Sequence, residues 1–310
     1  MSETLTSPTV PKVAASGTSR YTLRQIESFL GYILVAPLVV CVLLLVVYPF
    51  FFAISISFTD RTVGAGGNFV GFDNFIYLMN QPTFIKTIWN TFVLVSAVQI
   101  SKLFIGLGVA ILLNQPIWGR QFWRGLVLLP WAMPAFVAFI TWKLMYAPQG
   151  GALNYILIQL GLVDSHVDFL GTKLLAMPSV IVALVWRGFP FWVITFLAGL
   201  QTVSEELYEA AALDGANAWQ RFWHVTLPGI RHVVLVVILV STIQTTNNFE
   251  GIFLLTGGGP SDATMTFPIY AYYSLQNLNL GEAAAVGVAM LPIFACLAFV
   301  VMMLMQEREG

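Results

Sequence analysis

Long uncharged runs constrain this chain more than any other feature of its sequence. Charged side chains make up 9% of the 310 residues, against about 25% in ordinary soluble domains, and 58% of the residues are hydrophobic. The uncharged runs are 28–59, 125–142, 232–249 and 283–306, and two more apolar runs, 89–113 and 174–200, each contain a single cation. A soluble fold could not cover so much apolar surface with polar groups, so we expect a membrane protein.

The lengths of these runs predict an all-α polytopic membrane protein. A helix that crosses the ~30 Å hydrocarbon core needs about 20 apolar residues. Six transmembrane helices are predicted, near 29–56, 87–113, 125–146, 174–200, 232–255 and 283–305. Residues 1–27 are predicted to be an N-terminal tail and residues 28–310 the transmembrane domain.

The distribution of lysine and arginine predicts the orientation. The tail and the connections on one side carry Lys12, Arg20, Arg24, Arg120, Arg124, Arg221, Arg231 and Arg308. The connections on the other side carry Arg61, Lys86, Lys143 and Lys173. Since cytoplasmic loops of membrane proteins carry the excess of cations, both termini are predicted to be cytoplasmic.

Several kinds of site are missing from the sequence. It contains no G-x-x-x-x-G-K-[ST] loop, its three histidines are scattered, and no cluster has the spacing of a metal or nucleophile site. A net charge of −1 gives no basic surface for nucleic acid. We therefore predict no catalytic residue, no metal and no cofactor in this chain. A secondary transporter stays an alternative, although the spans lack an acidic proton relay.

The connection between the fourth and fifth predicted spans, residues 201–228, has a distinctive pattern. Ser204 followed by glutamates is typical of a helix start, and Gly215 permits a turn before a second short helix. Pro228 suits the first turn of the next span because that position needs no bonded N–H. From the residues alone, an amphipathic hairpin lying on the membrane surface explains this pattern equally well.

The same connection resembles the EAA loop of permease subunits in binding-protein-dependent ABC importers. That loop has the pattern E-A-A-x3-G-x9-I-x-L-P, and Val225 stands here in place of the isoleucine. The resemblance assigns coupling to an ATPase subunit to Glu209, Ala210, Ala211, Asp214, Gly215, Leu227 and Pro228.

This resemblance implies the fold, the location and the partners. The implied fold is the type I ABC importer permease architecture, in a bacterial inner membrane. The implied partners are a second homologous permease subunit, two ATPase subunits that bind ATP and Mg²⁺, and a periplasmic solute-binding protein. The chain itself would then be no enzyme.

Other segments resemble the F-type subunit of carbohydrate permeases, the maltose-transporter type. They are residues 69–75, 89–91, 247–249 and 254–260. The resemblance implies a sugar or sugar derivative as substrate, possibly anionic. An ABC permease for a non-sugar solute is the alternative.

The fifth predicted span ends in a polar segment, in which eight of the ten residues from 241 to 250 are polar. Four of them recur at i, i+3, i+4 and i+7, which places them on one helix face. Hydroxyls and amides match sugar hydroxyls, but they also join helices inside a bundle. The resemblance favours substrate binding by Ser241, Gln244, Thr245, Asn247, Asn248 and Glu250.

The fourth predicted span offers the facing surface. Gly188 and Pro190 loosen a helix within the membrane, which is tolerated where it lines a cavity. Phe191 carries an aromatic ring that can stack on a sugar. The resemblance assigns sugar contacts to Gly188 and Phe191.

Two cations lie inside predicted spans. Arg187 departs from the maltose-type pattern, in which an apolar residue is expected. It either pairs with Glu250 or contacts an anionic group of the substrate, for which its planar group is suited. Lys102 is predicted to extend its ammonium toward the cytoplasmic surface.

Overall fold

The structure is a computed structural model that describes residues 23–306, so that most of the predicted tail lies outside it. It is helical, and the described residues form no β-sheet. The chain falls into two compact units, Met1–Phe52 and Ala53–Gly310.

The first unit contains one long apolar helix. Helix α1 (Leu23–Val42) continues through a π-helical turn (Leu43–Val47) into α2 (Tyr48–Ser57), whose start belongs to this unit. Large apolar side chains along it are exposed, such as Leu34 at 79% and Leu45 at 75%. A helix that is apolar and uncovered in this way is suited to contact with lipid.

The second unit holds the remaining helices and a second π-helical turn (Phe222–Thr226). The helices are α3 (Asp73–Met79), α4 (Pro82–Asn114), α5 (Arg120–Ala132), α6 (Ala135–Met145), α7 (Ala152–Gln159), α8 (Lys173–Leu200), α9 (Glu205–Leu213), α10 (Ala218–Arg221), α11 (Leu227–Gly229), α12 (Arg231–Thr246), α13 (Phe249–Leu255), α14 (Phe267–Gln276), α15 (Leu280–Ala289) and α16 (Leu291–Gln306).

Four helical stretches in the described part are long and apolar enough to cross a membrane, and the number is six if each of two bent helix pairs forms one span. The four stretches are Leu30–Ser57, Pro82–Asn114, Lys173–Leu200 and Leu280–Met305. The pair α5 and α6 bends by 88°, and the pair 218–229 and α12 bends by 65°.

The bend between α5 and α6 replaces the single continuous helix that the run 125–146 indicates. It lies at Met133 and Pro134, both of which have extended backbone angles. Proline lacks an N–H and disfavours the helical conformation in the residue before it, so a sharp break here has a local cause. The bend carries the end of α5 toward α8.

The fifth predicted span is also shorter than its run indicates. The sequence predicts a helix near 232–255, whereas α12 ends at Thr246 and α13 starts at Phe249. Asn248 caps α13, since its Oδ1 accepts from the N–H of Gly251 at 3.0 Å. Polar side chains of this kind compete for backbone hydrogen bonds, and here they end the helix.

The core is built on the packing of α8 along α4. Trp192 and Phe196 are fully buried and form the centre of an apolar cluster that also includes Val237 of α12. Gly106 lets the two long helices approach closely, because a Cβ at this position would lie 2.7 Å from the Cβ of Trp192. This packing fixes which faces of α4, α8 and α12 turn toward one another.

Candidate functional site

A small cavity of about 80 Å³ lies among α4, α5, α6, α8, α12 and the residue that caps α13. Its lining residues are Lys102, Trp131, Phe139, Leu184, Arg187, Gly188, Phe191, Ser241, Gln244, Thr245 and Asn248. Seven of the nine residues that the sequence predicts for substrate binding are therefore brought together, although they come from two separate helical segments.

The other two predicted substrate residues lie outside this lining. The Asn247 side chain is exposed, and its Nδ2 donates to the carbonyl of Ile243 at 3.0 Å. Glu250 lies half-buried in the first turn of α13. Neither belongs to the helix face of Ser241, Gln244, Thr245 and Asn248, and Glu250 lies beyond the end of α12 at Thr246.

A hydrogen-bond network joins α4, α8 and α12 behind the cavity. Trp192 Nε1 donates to Ser241 Oγ at 3.0 Å, and Ser241 donates to Gln99 Oε1 at 2.9 Å. Gln99 Nε2 and Lys102 Nζ donate to Thr245 Oγ1 at 3.4 Å and 3.3 Å. Ser241 and Thr245 are both buried, so their hydroxyls hold helices together, which is the role that the residues alone left open.

The remaining wall combines amides with aromatic rings. Gln244 is exposed, and Asn248 is half-buried one turn farther along. Phe191 and Trp131 supply rings to the same cavity, and Trp131 is 51% exposed. Sequence analysis missed Trp131, because only the bend between α5 and α6 brings it near α8.

The structure overturns the prediction that Lys102 extends toward the cytoplasmic surface. This side chain is 7% exposed and lines the cavity. Space for it exists because residue 188 is a glycine, since a Cβ there would lie 2.6 Å from Lys102 Nζ. The end of the Lys102 side chain therefore lies against Gly188 of α8 instead of following α4 to its end.

The predicted pair of Arg187 with Glu250 is absent from the part of the chain that the structure describes. Arg187 Nη2 instead donates to the carbonyl of Met133 at 3.5 Å, at the bend between α5 and α6. Its Nε is buried without a hydrogen-bond partner. The correction follows from the end of α12, which places Glu250 on a different helix from the cavity wall.

The predicted coupling loop is exposed at the surface of the second unit. In α9, Glu209 and Ala210 are exposed, Ala211 is half-buried, and Leu213 is 90% exposed. Gly215 has φ +80 with open space at its Cβ position, so the turn after α9 requires a glycine for conformational reasons.

The rest of this loop leads into the fifth span. Asn217 and Gln220 form a reciprocal capping box at 2.9 Å and 2.8 Å that starts α10. A cavity of about 340 Å³ lies beside Ala211, Asp214 and Gly215. Leu227 and Pro228 form α11, just before the bend into α12.

Residues 102–308 match the family described as binding-protein-dependent transport system inner membrane component. The chain belongs to this family. The matched region includes the predicted coupling loop and every residue that lines the cavity. It confirms the family that the EAA loop resembles, with its multi-pass membrane location, and shows the chain to be a transport component rather than an enzyme.

Curated relatives align over nearly the whole chain. The trehalose/maltose transport system permease protein MalF of Thermococcus litoralis is 37% identical over 271 residues, which are 85% of this chain and 90% of that protein. The diacetylchitobiose uptake system permease protein NgcF of Streptomyces coelicolor is 33% identical, covering 97% and 90%. The sulfoquinovosyl glycerol transport system permease protein SmoG of Agrobacterium fabrum is 29% identical, covering 91% and 92%.

A solved structure supports the fold. A chain of a bacterial ABC transporter involved in the import of the acidic polysaccharide alginate superposes with a TM-score of 0.80 at 23% identity, covering 92% of this chain and 98% of that one. The predicted all-α architecture of a type I ABC importer permease is thereby confirmed.

Proposed function

We propose that this family member is the permease subunit of an ATP-driven importer and forms half of the pathway for a sugar or sugar derivative. One observation carries the proposal: the same chain has a cavity lined by amides and aromatic rings between α8 and α12 and an exposed EAA loop at the start of the fifth span. Relatives named for trehalose/maltose and diacetylchitobiose transport support a carbohydrate substrate.

The proposed partners account for the ATP-binding motif that this chain lacks and for the apolar side chains that its loop exposes. Its sequence has no P-loop, so two separate ATPase subunits would bind ATP and Mg²⁺ and would cover the exposed Leu213 and Leu207 of α9. A second homologous permease subunit would complete the pathway, and a periplasmic binding protein would deliver the sugar. Both termini and the coupling loop would then face the cytoplasm of a bacterium, as the distribution of cations indicates.

A hydrogen bond links the first helix of the coupling loop to the end of the loop that leads into the fifth span. The hydroxyl of Tyr208 in α9 donates to Thr226 Oγ1 at 3.1 Å, just before α11 and α12. A displacement of α9 by the ATPase would therefore be passed to α12, which carries Gln244. The cavity of about 80 Å³ is far below the ~300–1,000 Å³ of typical ligand sites, so its walls must separate to admit a sugar. Alternating access supplies such a separation as a shift between two states of the bundle.

Uptake by the assembled importer in proteoliposomes tests this proposal. We expect Glu209→Lys to abolish ATP-dependent uptake and the ATPase activity that the binding protein stimulates, because it reverses the charge at the predicted contact. Glu205→Lys is the matched control, since Glu205 lies in the same exposed helix but outside the EAA pattern. Unchanged uptake in Glu209→Lys, or uptake that requires a proton gradient and not ATP, would contradict the proposal.

A further inference from the structure

Two cations, the buried Lys102 and the half-buried Arg187, line the candidate cavity, and the described residues provide neither with an acidic partner. Lys102 is 7% exposed, and the Nε of Arg187 is buried with no hydrogen-bond partner. Across residues 23–306, no aspartate or glutamate lines this cavity or forms an ion pair with either cation. A desolvated charge is costly, and two like charges in one small cavity repel each other, so this arrangement favours the binding of an anion.

The position of both cations is built into the fold. Gly188 leaves the space that Lys102 occupies, and Thr245 accepts from its ammonium at 3.3 Å. The carbonyl of Met133 accepts from Arg187 at 3.5 Å, a contact that exists because α5 and α6 bend at this point. These contacts hold both side chains at the cavity. Ionisable groups retained within membrane helices generally mark a substrate or ion pathway.

We propose that this cavity binds the oxyanion of an acidic sugar, a sulfonate or a carboxylate, and that Arg187 and Lys102 make the importer selective for it. This inference rests on the proposed function and narrows its substrate class. The planar guanidinium of Arg187 is suited to bind two oxyanion oxygens, and Lys102 adds a compact positive charge. Gln244 and Asn248 would bond the ring hydroxyls.

Direct binding to the assembled importer tests the proposal without the selectivity of the binding protein. The complex of permeases and ATPases, in nanodiscs without ATP, is titrated with three methyl pyranosides that differ only at C6: one with a hydroxymethyl group, one with a carboxylate and one with a sulfonate. We expect the wild type to bind the two anionic probes at least ~10-fold tighter than the neutral one, about the effect of one charge-assisted hydrogen bond.

The variants Arg187→Gln and Lys102→Met are expected to weaken binding of the anionic probes about 10-fold each while changing that of the neutral probe less than about 2-fold. Arg187→Lys keeps the charge and should restore part of the preference. Gly188→Ala displaces Lys102 without changing any charge and should reduce the preference as well. Arg124→Gln is the matched control, because Arg124 lies outside the cavity lining and donates to the carbonyl of Leu113 at 3.1 Å.

Three results would overturn the inference. The first is a wild type that binds the neutral probe as well as the anionic ones, as it would if an acidic residue of the second permease subunit neutralised the cations. The second is an equal loss for all three probes in the Arg187 and Lys102 variants. The third is a loss of anionic-probe binding in Arg124→Gln as large as that in the Arg187 and Lys102 variants. Uptake of the same probes into proteoliposomes by the wild-type importer separates the two proposals. ATP-dependent uptake of the neutral probe alone would refute the anion preference and leave the proposed importer intact. Absence of ATP-dependent uptake for all three probes would refute the proposed importer.

Discussion

The predicted coupling loop and the candidate cavity are opposite in construction. The loop, residues 201–228, is exposed, and its hydrogen bonds join residues close in sequence, such as Asn217 and Gln220. The cavity lies between helices, and the hydrogen-bond network beside it joins residues far apart, such as Gln99 and Ser241, which are separated by 142 positions. A surface that another protein must recognise can be encoded by local spacing, whereas a cavity for a small molecule depends on how distant helices pack.

Tyr208 lies in the loop and bonds Thr226, which precedes the span that carries one wall of the cavity. If the loop acts as a lever on the cavity wall, substitutions in the loop should impair transport and leave stability intact. Substitutions in the packing behind the cavity should do the reverse.

Gly215→Val should reduce transport strongly. Residue 215 has φ +80, a conformation that costs a β-branched residue of the order of 1–3 kcal/mol, so the turn after α9 would be rebuilt. We expect at least a ~10-fold loss of ATP-dependent uptake, with the complex still extractable and folded. Gly64→Val is the matched control: Gly64 has φ +83 and open space, but lies outside the loop. Equal losses in both variants would mean that strain alone, and not coupling, explains the effect.

Gly106→Ala should have the largest effect on stability. The new Cβ would lie 2.7 Å from the Cβ of Trp192, and overpacking of this kind costs about 1–3 kcal/mol. Thermal unfolding of the purified complex measures the loss. Gly108→Ala lies in the same helix with nothing within 4 Å, and should be neutral or stabilising by up to ~1 kcal/mol. Similar unfolding temperatures for the two variants would show that the close approach of α4 and α8 is not required.

Tyr208→Phe should have the smallest effect. It removes only the hydroxyl that bonds Thr226, a loss of about 0.5–1.5 kcal/mol. Because this bond connects α9 to the fifth span, we expect a ~2- to 5-fold fall in sugar imported per ATP hydrolysed, with ATPase activity itself retained. Tyr155→Phe, at a side chain that is 68% exposed on α7, serves as the control. An unchanged ratio in Tyr208→Phe would exclude this bond from the coupling path.

The part of the site that could be predicted from sequence follows helical periodicity. Ser241, Gln244, Thr245 and Asn248 were assigned to one face, and all four line the cavity. The helical periodicity ends with α12 at Thr246, and Asn248 reaches the cavity as the cap of α13. Glu250 belongs to the same polar segment, but it lies in the first turn of α13, which Asn248 caps, and it does not line the cavity.

The membrane location, the positions of the apolar runs and the EAA pattern of residues 201–228 can be predicted from the sequence, because each depends on the order of residues within one segment. The packing of the helices was needed to show that Lys102 is buried beside Gly188, that Trp131 reaches the cavity and that Arg187 contacts Met133 and not Glu250. Those contacts depend on how each helix is rotated and bent against its neighbours, and the packing of the whole bundle sets that rotation.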